Sequence, residues 1–222
     1  MRAFGFSVFA IDYRGFGKSD GEMPSEESVY EDARIGWAWL AARQPDPARR
    51  YIYGHSLGGA VAVDLAAELS RDVPAARGLI VESSFTSLAD MANELTNGWL
   101  PAGLVLTQKF DSLAKIAQVR MPILVVHGAS DRYVPARFSE ALYAAAPEPK
   151  KLLLVENGSH NNSMWVGNGA YKEALADVFG ARYRGEVIFP AKLSKTQIRV
   201  DSEYSPEFAA ENLVDELPTA WA

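Results

Sequence analysis

Arg50-Tyr51-Ile52-Tyr53-Gly54-His55-Ser56-Leu57-Gly58-Gly59 decides the fold. The first four residues are a short β-rich run, and a small-residue helix to about Leu69 follows Gly59. Between them stands G-x-S-x-G, a serine on a sharp strand-to-helix turn. Such a turn forces the serine into a strained backbone and lifts its hydroxyl above the sheet edge. Gly54, Gly58 and Gly59 supply the small side chains expected where backbones approach closely. The Leu57 N–H is expected at the helix N-terminus, where partial positive charge favours an oxyanion.

Outward from this stretch the pattern repeats. Further strands are expected at Phe6–Ile11, Gly78–Val81, Pro122–Val126 and Lys151–Val155. Helices are expected from about Ser25 to Arg43, at about Pro135–Ala146 and at Ala170–Phe179. In the first helix Val29, Ala33, Trp37 and Leu40 recur on one face. Alternating strands and helices predict an α/β fold, a mostly parallel, doubly wound sheet. Residues 85–121 are too long for a simple crossover and are expected to form a small cap. The core is therefore expected over 1–182. Residues 183–222 break the alternation as a C-terminal extension, with a short helix possible at Ser205-Pro206.

The chain has 222 residues, 48% hydrophobic and 23% charged, the composition of a globular protein. It has no cysteine, which removes disulfides, thiolate metal sites and a cysteine nucleophile. The net charge of −6 is matched by the six acids from Asp201 onward, where no Lys or Arg occurs. A neutral body with an acidic tail lacks the basic footprint of a nucleic-acid binder. No apolar run approaches the roughly 20 residues of a membrane span, and Phe4–Ile11 lacks a signal-peptide cleavage site. A cytoplasmic location is expected. Gly15-Phe16-Gly17-Lys18-Ser19 imitates the end of a P-loop, but Asp12 and Asp20 stand where the two nucleotide motifs need glycine. No metal-ligand spacing is visible, and no cofactor is expected.

A serine nucleophile needs a base, and the chain has three histidines. His55 belongs to the turn, and its side chain is expected to point elsewhere. His127 ends a strand and reads as a packing or supporting residue. His160, in the loop beyond the last strand, is the candidate base. Asp131, just past the strand at 122–126, is the candidate orienting carboxylate, with Glu82 as its competitor. The order Ser56, Asp131, His160 places each residue after the carboxyl end of a different strand, where open α/β sheets build their sites. Trp99, Leu104, Leu106 and Trp165 are candidate walls of an apolar acyl pocket, or ordinary packing.

These motifs resemble the α/β-hydrolase superfamily, in its serine aminopeptidase-like branch with a small cap. The resemblance runs from residue 1 to about 180. It rests on Asp12–Ser19, Gly54–Gly59, Glu82–Ser87, Lys109–Leu113, His127–Pro135 and Gly158–Asn162. It implies hydrolysis of an ester, amide or related acyl bond in a small molecule through an acyl-enzyme, without a cofactor. It also implies strands and a His-Gly loop before the Asp12 region, the loop giving a second oxyanion donor. The chain is therefore expected to be N-terminally truncated, and loss of one such donor costs about 10²- to 10³-fold in kcat. A weak or inactive hydrolase-like domain that acts as a binding module is the alternative. A related α/β-fold chemistry such as peracid formation is a third reading.

Overall fold

The computed structural model describes residues 1–71, 75–96, 99 and 106–180. Leu104 and the extension 183–222, with its expected helix at Ser205-Pro206, lie outside the described residues. The described residues form two compact units, 1–24 and 25–180.

In the first unit Phe6–Ile11 is not a strand. Its β propensity is not enough by itself, because a strand is defined by its ladder and the sheet described below takes in none of these residues. Val8 and Phe9 are exposed, not packed into a core as a buried strand would have them. The Gly-rich loop folds on its own acid. Ser19 Oγ donates to the Asp12 carbonyl at 2.8 Å, and the Asp12 carboxylate fills the space beside Gly17. An acid at that place is the opposite of a phosphate cradle.

The second unit opens with helix α1 (Glu26–Arg43). Ser25 caps it in a capping box: the Ser28 N–H donates to Ser25 Oγ at 3.2 Å and the Ser25 N–H to Ser28 Oγ at 2.8 Å. Glu26 and Glu27 near the start and Arg43 near the end complement the helix dipole. Val29 and Ala33 are buried as expected, whereas Trp37 and Leu40 are half-buried.

Strands β1 (Tyr51–His55), β2 (Gly78–Glu82), β3 (Ile123–Gly128) and β4 (Lys150–Val155) follow. They form one parallel sheet in the order β1-β2-β3-β4. The helices between and after them are α2 (Leu57–Leu69), α3 (Leu88–Leu95), α4 (Ser112–Ile116), α5 (Ala136–Ala145), α6 (Ser163–Val166) and α7 (Asn168–Phe179). Both faces are covered. On β2, Gly78 lies against Phe179 and the Glu82 carboxylate meets Tyr171, both from α7. Val81 on the opposite face packs near Gly59 of α2. The α/β class and the parallel, two-faced sheet expected from the sequence are present. Within 85–121 the structure describes α3 and α4, with residues 97, 98 and 100–105 outside the described set. No helix among the described residues is long and apolar enough to cross a membrane.

The central strands carry the stabilisation. Leu79, Ile80, Val81, Ile123, Leu124, Val125 and Val126 are all fully buried. Each such side chain contributes about 1.5–3 kcal/mol relative to exposure. Because all four strands are parallel, their carboxyl ends share one rim, and the loops after β1, β3 and β4 carry Ser56, Asp131 and His160. Leu124→Ala is expected to lower unfolding free energy by about 2–5 kcal/mol. Ile35→Ala, on the exposed side of α1, should change it by less than about 0.5 kcal/mol. Urea titration of the two variants checks this; equal effects would contradict a core centred on β2 and β3.

Candidate active site

Ser56 has φ 53° and ψ −122°, a backbone region that L residues rarely adopt. The strain is held from three sides. The Ser56 N–H donates to the Glu82 carbonyl at 2.9 Å, Ser84 Oγ donates to the Ser56 carbonyl at 2.9 Å, and the Gly59 N–H donates to the same carbonyl at 2.9 Å. A Cβ on Gly54 would overlap the Gly58 carbonyl and come within 2.7 Å of Ala62 Cβ. A Cβ on Gly59 would stand 2.5 Å from Ser84 Cβ. Gly58 differs from the expectation: nothing lies within 4 Å of a Cβ built there. Its backbone, not its missing side chain, is what crowds the turn. Leu57 begins α2, and its N–H has no acceptor among the described residues.

His160 Nδ1 lies 2.7 Å from Asp131 Oδ2. The carboxylate accepts, so Nδ1 carries the proton and Nε2 keeps its lone pair. Asp131 Oδ1 accepts from the N–H groups of Tyr133 at 2.9 Å and Val134 at 3.0 Å. Burial alone would raise the Asp131 pKa, but the Val134 N–H, His160 and the Tyr133 N–H together hold it below the ordinary value.

His127 closes this shell. Its Nε2 faces two acceptors, the Val134 carbonyl at 2.8 Å and Asp131 Oδ2 at 3.2 Å. Nε2 must therefore carry the proton, and Nδ1 accepts from Ser139 Oγ at 2.6 Å. Burial depresses its pKa, against the opposing effects of the Val134 carbonyl and Asp131, so the ring stays neutral.

Backbone contacts bring the two loops together. The Ala129 N–H donates to the Val155 carbonyl at 2.9 Å and the Ser130 N–H to the Gly158 carbonyl at 2.8 Å. A Cβ on Gly128 would come within 2.6 Å of the Ser159 carbonyl, so only glycine admits this approach.

On the elbow side, His55 Nε2 lies 2.7 Å from the His160 carbonyl, and the two rings are 4.8 Å apart. The residue next to Ser56 thus touches His160. Among the described residues no hydrogen bond joins Ser56 Oγ to His160 Nε2. Such contacts are often long without substrate and tighten in the complex.

Glu82, the competitor of Asp131, is committed elsewhere. Its carboxylate is buried and accepts from Tyr53 at 3.1 Å and Tyr171 at 2.9 Å. Burial, then the Glu82 charge, raises both tyrosine pKa values, which keeps the hydroxyls as donors. Of the expected pocket residues, Trp99 is 91% and Trp165 62% exposed, and Leu106 is half-buried. A groove of about 780 Å³ lies along α1, α2 and α4 but holds none of Ser56, Asp131 and His160. Its Lys115 is paired with Asp64 at 2.7 Å and Glu26 at 3.8 Å.

The model of the serine aminopeptidase S33 family matches residues 1–112. The chain belongs to this family, within the α/β-hydrolase superfamily. An uncharacterized protein of Mycobacterium tuberculosis is 43% identical over 163 residues, 73% of this chain and 56% of that protein. The lysophosphatidylserine lipase ABHD12 of Danio rerio is 31% identical over 164 residues, 68% of this chain and 42% of the lipase. The chain thus spans about half the length of the curated relatives it matches. The crystal structure of Paleococcus ferrophilus monoacylglycerol lipase superposes with a TM-score of 0.57 at 16% identity, over 81% of this chain and 86% of that one, a likeness of fold.

Sequence reasoning missed the His55 contact, because nothing in a spacing of 105 residues announces a side chain meeting a distant carbonyl. It also missed the two tyrosines that occupy Glu82.

Gly54→Ala is expected to cost about 1–3 kcal/mol by overpacking, whereas Gly58→Ala should be neutral or slightly stabilising. Thermal unfolding of both separates a steric need at 54 from one at 58. In the unfolded chain a histidine takes up its proton below about pH 6.5, but buried His127 resists protonation to lower pH. The stability it confers is therefore complete above about pH 6.5 and declines as pH falls, by up to roughly 1.4 kcal/mol per pH unit. His127→Gln should flatten this part of the stability profile in urea titrations between about pH 7 and 5; an unchanged slope would contradict a neutral, buried ring.

Proposed function

We propose that the chain is a serine hydrolase that cleaves an ester or related acyl bond of a small molecule through Ser56, His160 and Asp131. The single observation that carries this reading is the 2.7 Å contact of His160 Nδ1 with Asp131 Oδ2, which orients the ring of a loop that also meets His55, the residue before the strained Ser56. Family membership supports the hydrolase class, and the likeness to a lysophosphatidylserine lipase favours an acyl ester over an amide.

Ser56 Oγ attacks the acyl carbonyl carbon and gives its proton to His160 Nε2. The negative oxygen of the tetrahedral intermediate lies against the Leu57 N–H, at the positive end of α2. The intermediate collapses, the bond to the leaving group breaks, and that group takes the proton from His160. Water then attacks the acyl-serine, with His160 again taking a proton. Collapse releases the acid and returns the proton to Ser56 Oγ. Asp131 stays ionised throughout, held so by its four donors, and stabilises the imidazolium. No step needs a metal or an organic cofactor. Trp99, Leu104, Leu106 and Trp165 are the proposed apolar residues for the acyl chain.

A fluorophosphonate probe tests the reading. The expected result is one adduct per chain at Ser56, with labelling and p-nitrophenyl ester cleavage reduced by at least ~10⁴-fold in Ser56→Ala and His160→Ala. A folded chain that ignores both reagents would favour the binding-module reading instead.

A further inference from the structure

We propose that His55 is a positioning residue: its Nε2–H holds the His160 carbonyl and so latches the loop of the base to the turn of the nucleophile. The proposal rests on the assignment of Ser56 and His160 above and adds a part to it.

Besides the Ser130 contact to Gly158, two anchors hold the loop. Asp131 fixes the His160 ring. Asn162 Oδ1 accepts from the Ser159 N–H at 2.6 Å, and Ser163 Oγ donates to the Ser159 carbonyl at 2.9 Å, which tie the loop to the start of α6. Neither anchor reaches the elbow. Among the described residues, the 2.7 Å contact of His55 is the hydrogen bond that joins residues 54–59 to residues 158–162. The two rings also meet, with centroids 4.8 Å apart and planes tilted by 57°, so His160 is braced at its carbonyl and at its ring.

The brace is stiff at its own end. His55 closes β1, paired with Glu82 of β2, whose carbonyl holds the Ser56 N–H. Ser56 is the next residue, so a displacement of His160 away from Ser56 must stretch the His55 bond. Only a donor satisfies a carbonyl, so the neutral ring carries its proton on Nε2. The imidazolium would donate from the same atom, so the latch does not depend on the charge of His55.

The test uses the full chain with His55→Ala and His55→Gln, a glutamine Nε2–H being able to replace the ring donor. Backbone hydrogen exchange and the rate of fluorophosphonate labelling at Ser56 are measured together. His55→Ala should speed exchange in residues 158–162 and slow labelling, each by about five- to tenfold, the equivalent of one hydrogen bond. Exchange in β3 should be unchanged, and His55→Gln should restore both readouts. Exchange in 158–162 within twofold of wild type would overturn the latch, as would equal acceleration in β3, which would make His55 a support of the whole fold. If the wild-type chain does not react with the probe, the catalytic assignment fails, and the exchange arm still decides the latch.

Discussion

The Asp131 carboxylate is the point on which the site depends. It is buried, and in that setting an unsatisfied charge would cost several kcal/mol. Four donors surround it instead: the Tyr133 and Val134 N–H groups, His160 Nδ1 and His127 Nε2. The backbone donors come from the turn after β3, so the carboxylate shapes that turn as it is stabilised by it. His160 is the partner that brings in another loop. Without the charge, that ring loses its fixed tautomer.

The strained turn at Ser56 is the second half of the arrangement. A backbone with φ 53° costs on the order of 1–3 kcal/mol and persists only when neighbours overdetermine it. They do so from two directions. β2 and the turn just past it supply the Glu82 carbonyl and Ser84 Oγ, and α2 supplies the Gly59 N–H. Ser83, between the two β2-side contacts, is itself at φ 48° and fully buried. Glu82 thus has a structural part: the hydroxyls of Tyr53 and Tyr171 hold its carboxylate while its carbonyl holds the Ser56 backbone.

The parts of this architecture legible in the sequence are those written in local pattern. Apolar runs bounded by glycine and proline located β1 to β4 within a residue or two, and Ser25 marked the start of α1. Ser56 was legible because small residues flank it, although Gly58 was credited with a steric role that Gly54 and Gly59 hold. Asp131 was legible by its place after β3; parallel topology puts it on one rim with His160, but puts Glu82 there too. Phe6–Ile11 was misread because propensity does not supply a ladder. His55 was misread because its partner is a backbone carbonyl, which has no residue-type signature. Glu82 was a fair competitor until the fold put Tyr53 and Tyr171 against it.

The most direct measurement is a crystal structure of the chain after reaction with a fluorophosphonate. The expected result is phosphorus bonded to Ser56 Oγ, one phosphonyl oxygen within hydrogen-bond distance of the Leu57 N–H, and His160 Nε2 turned toward the adduct with Nδ1 still on Asp131. An adduct on another residue, or one on Ser56 with His160 parted from Asp131 and facing away, would contradict it.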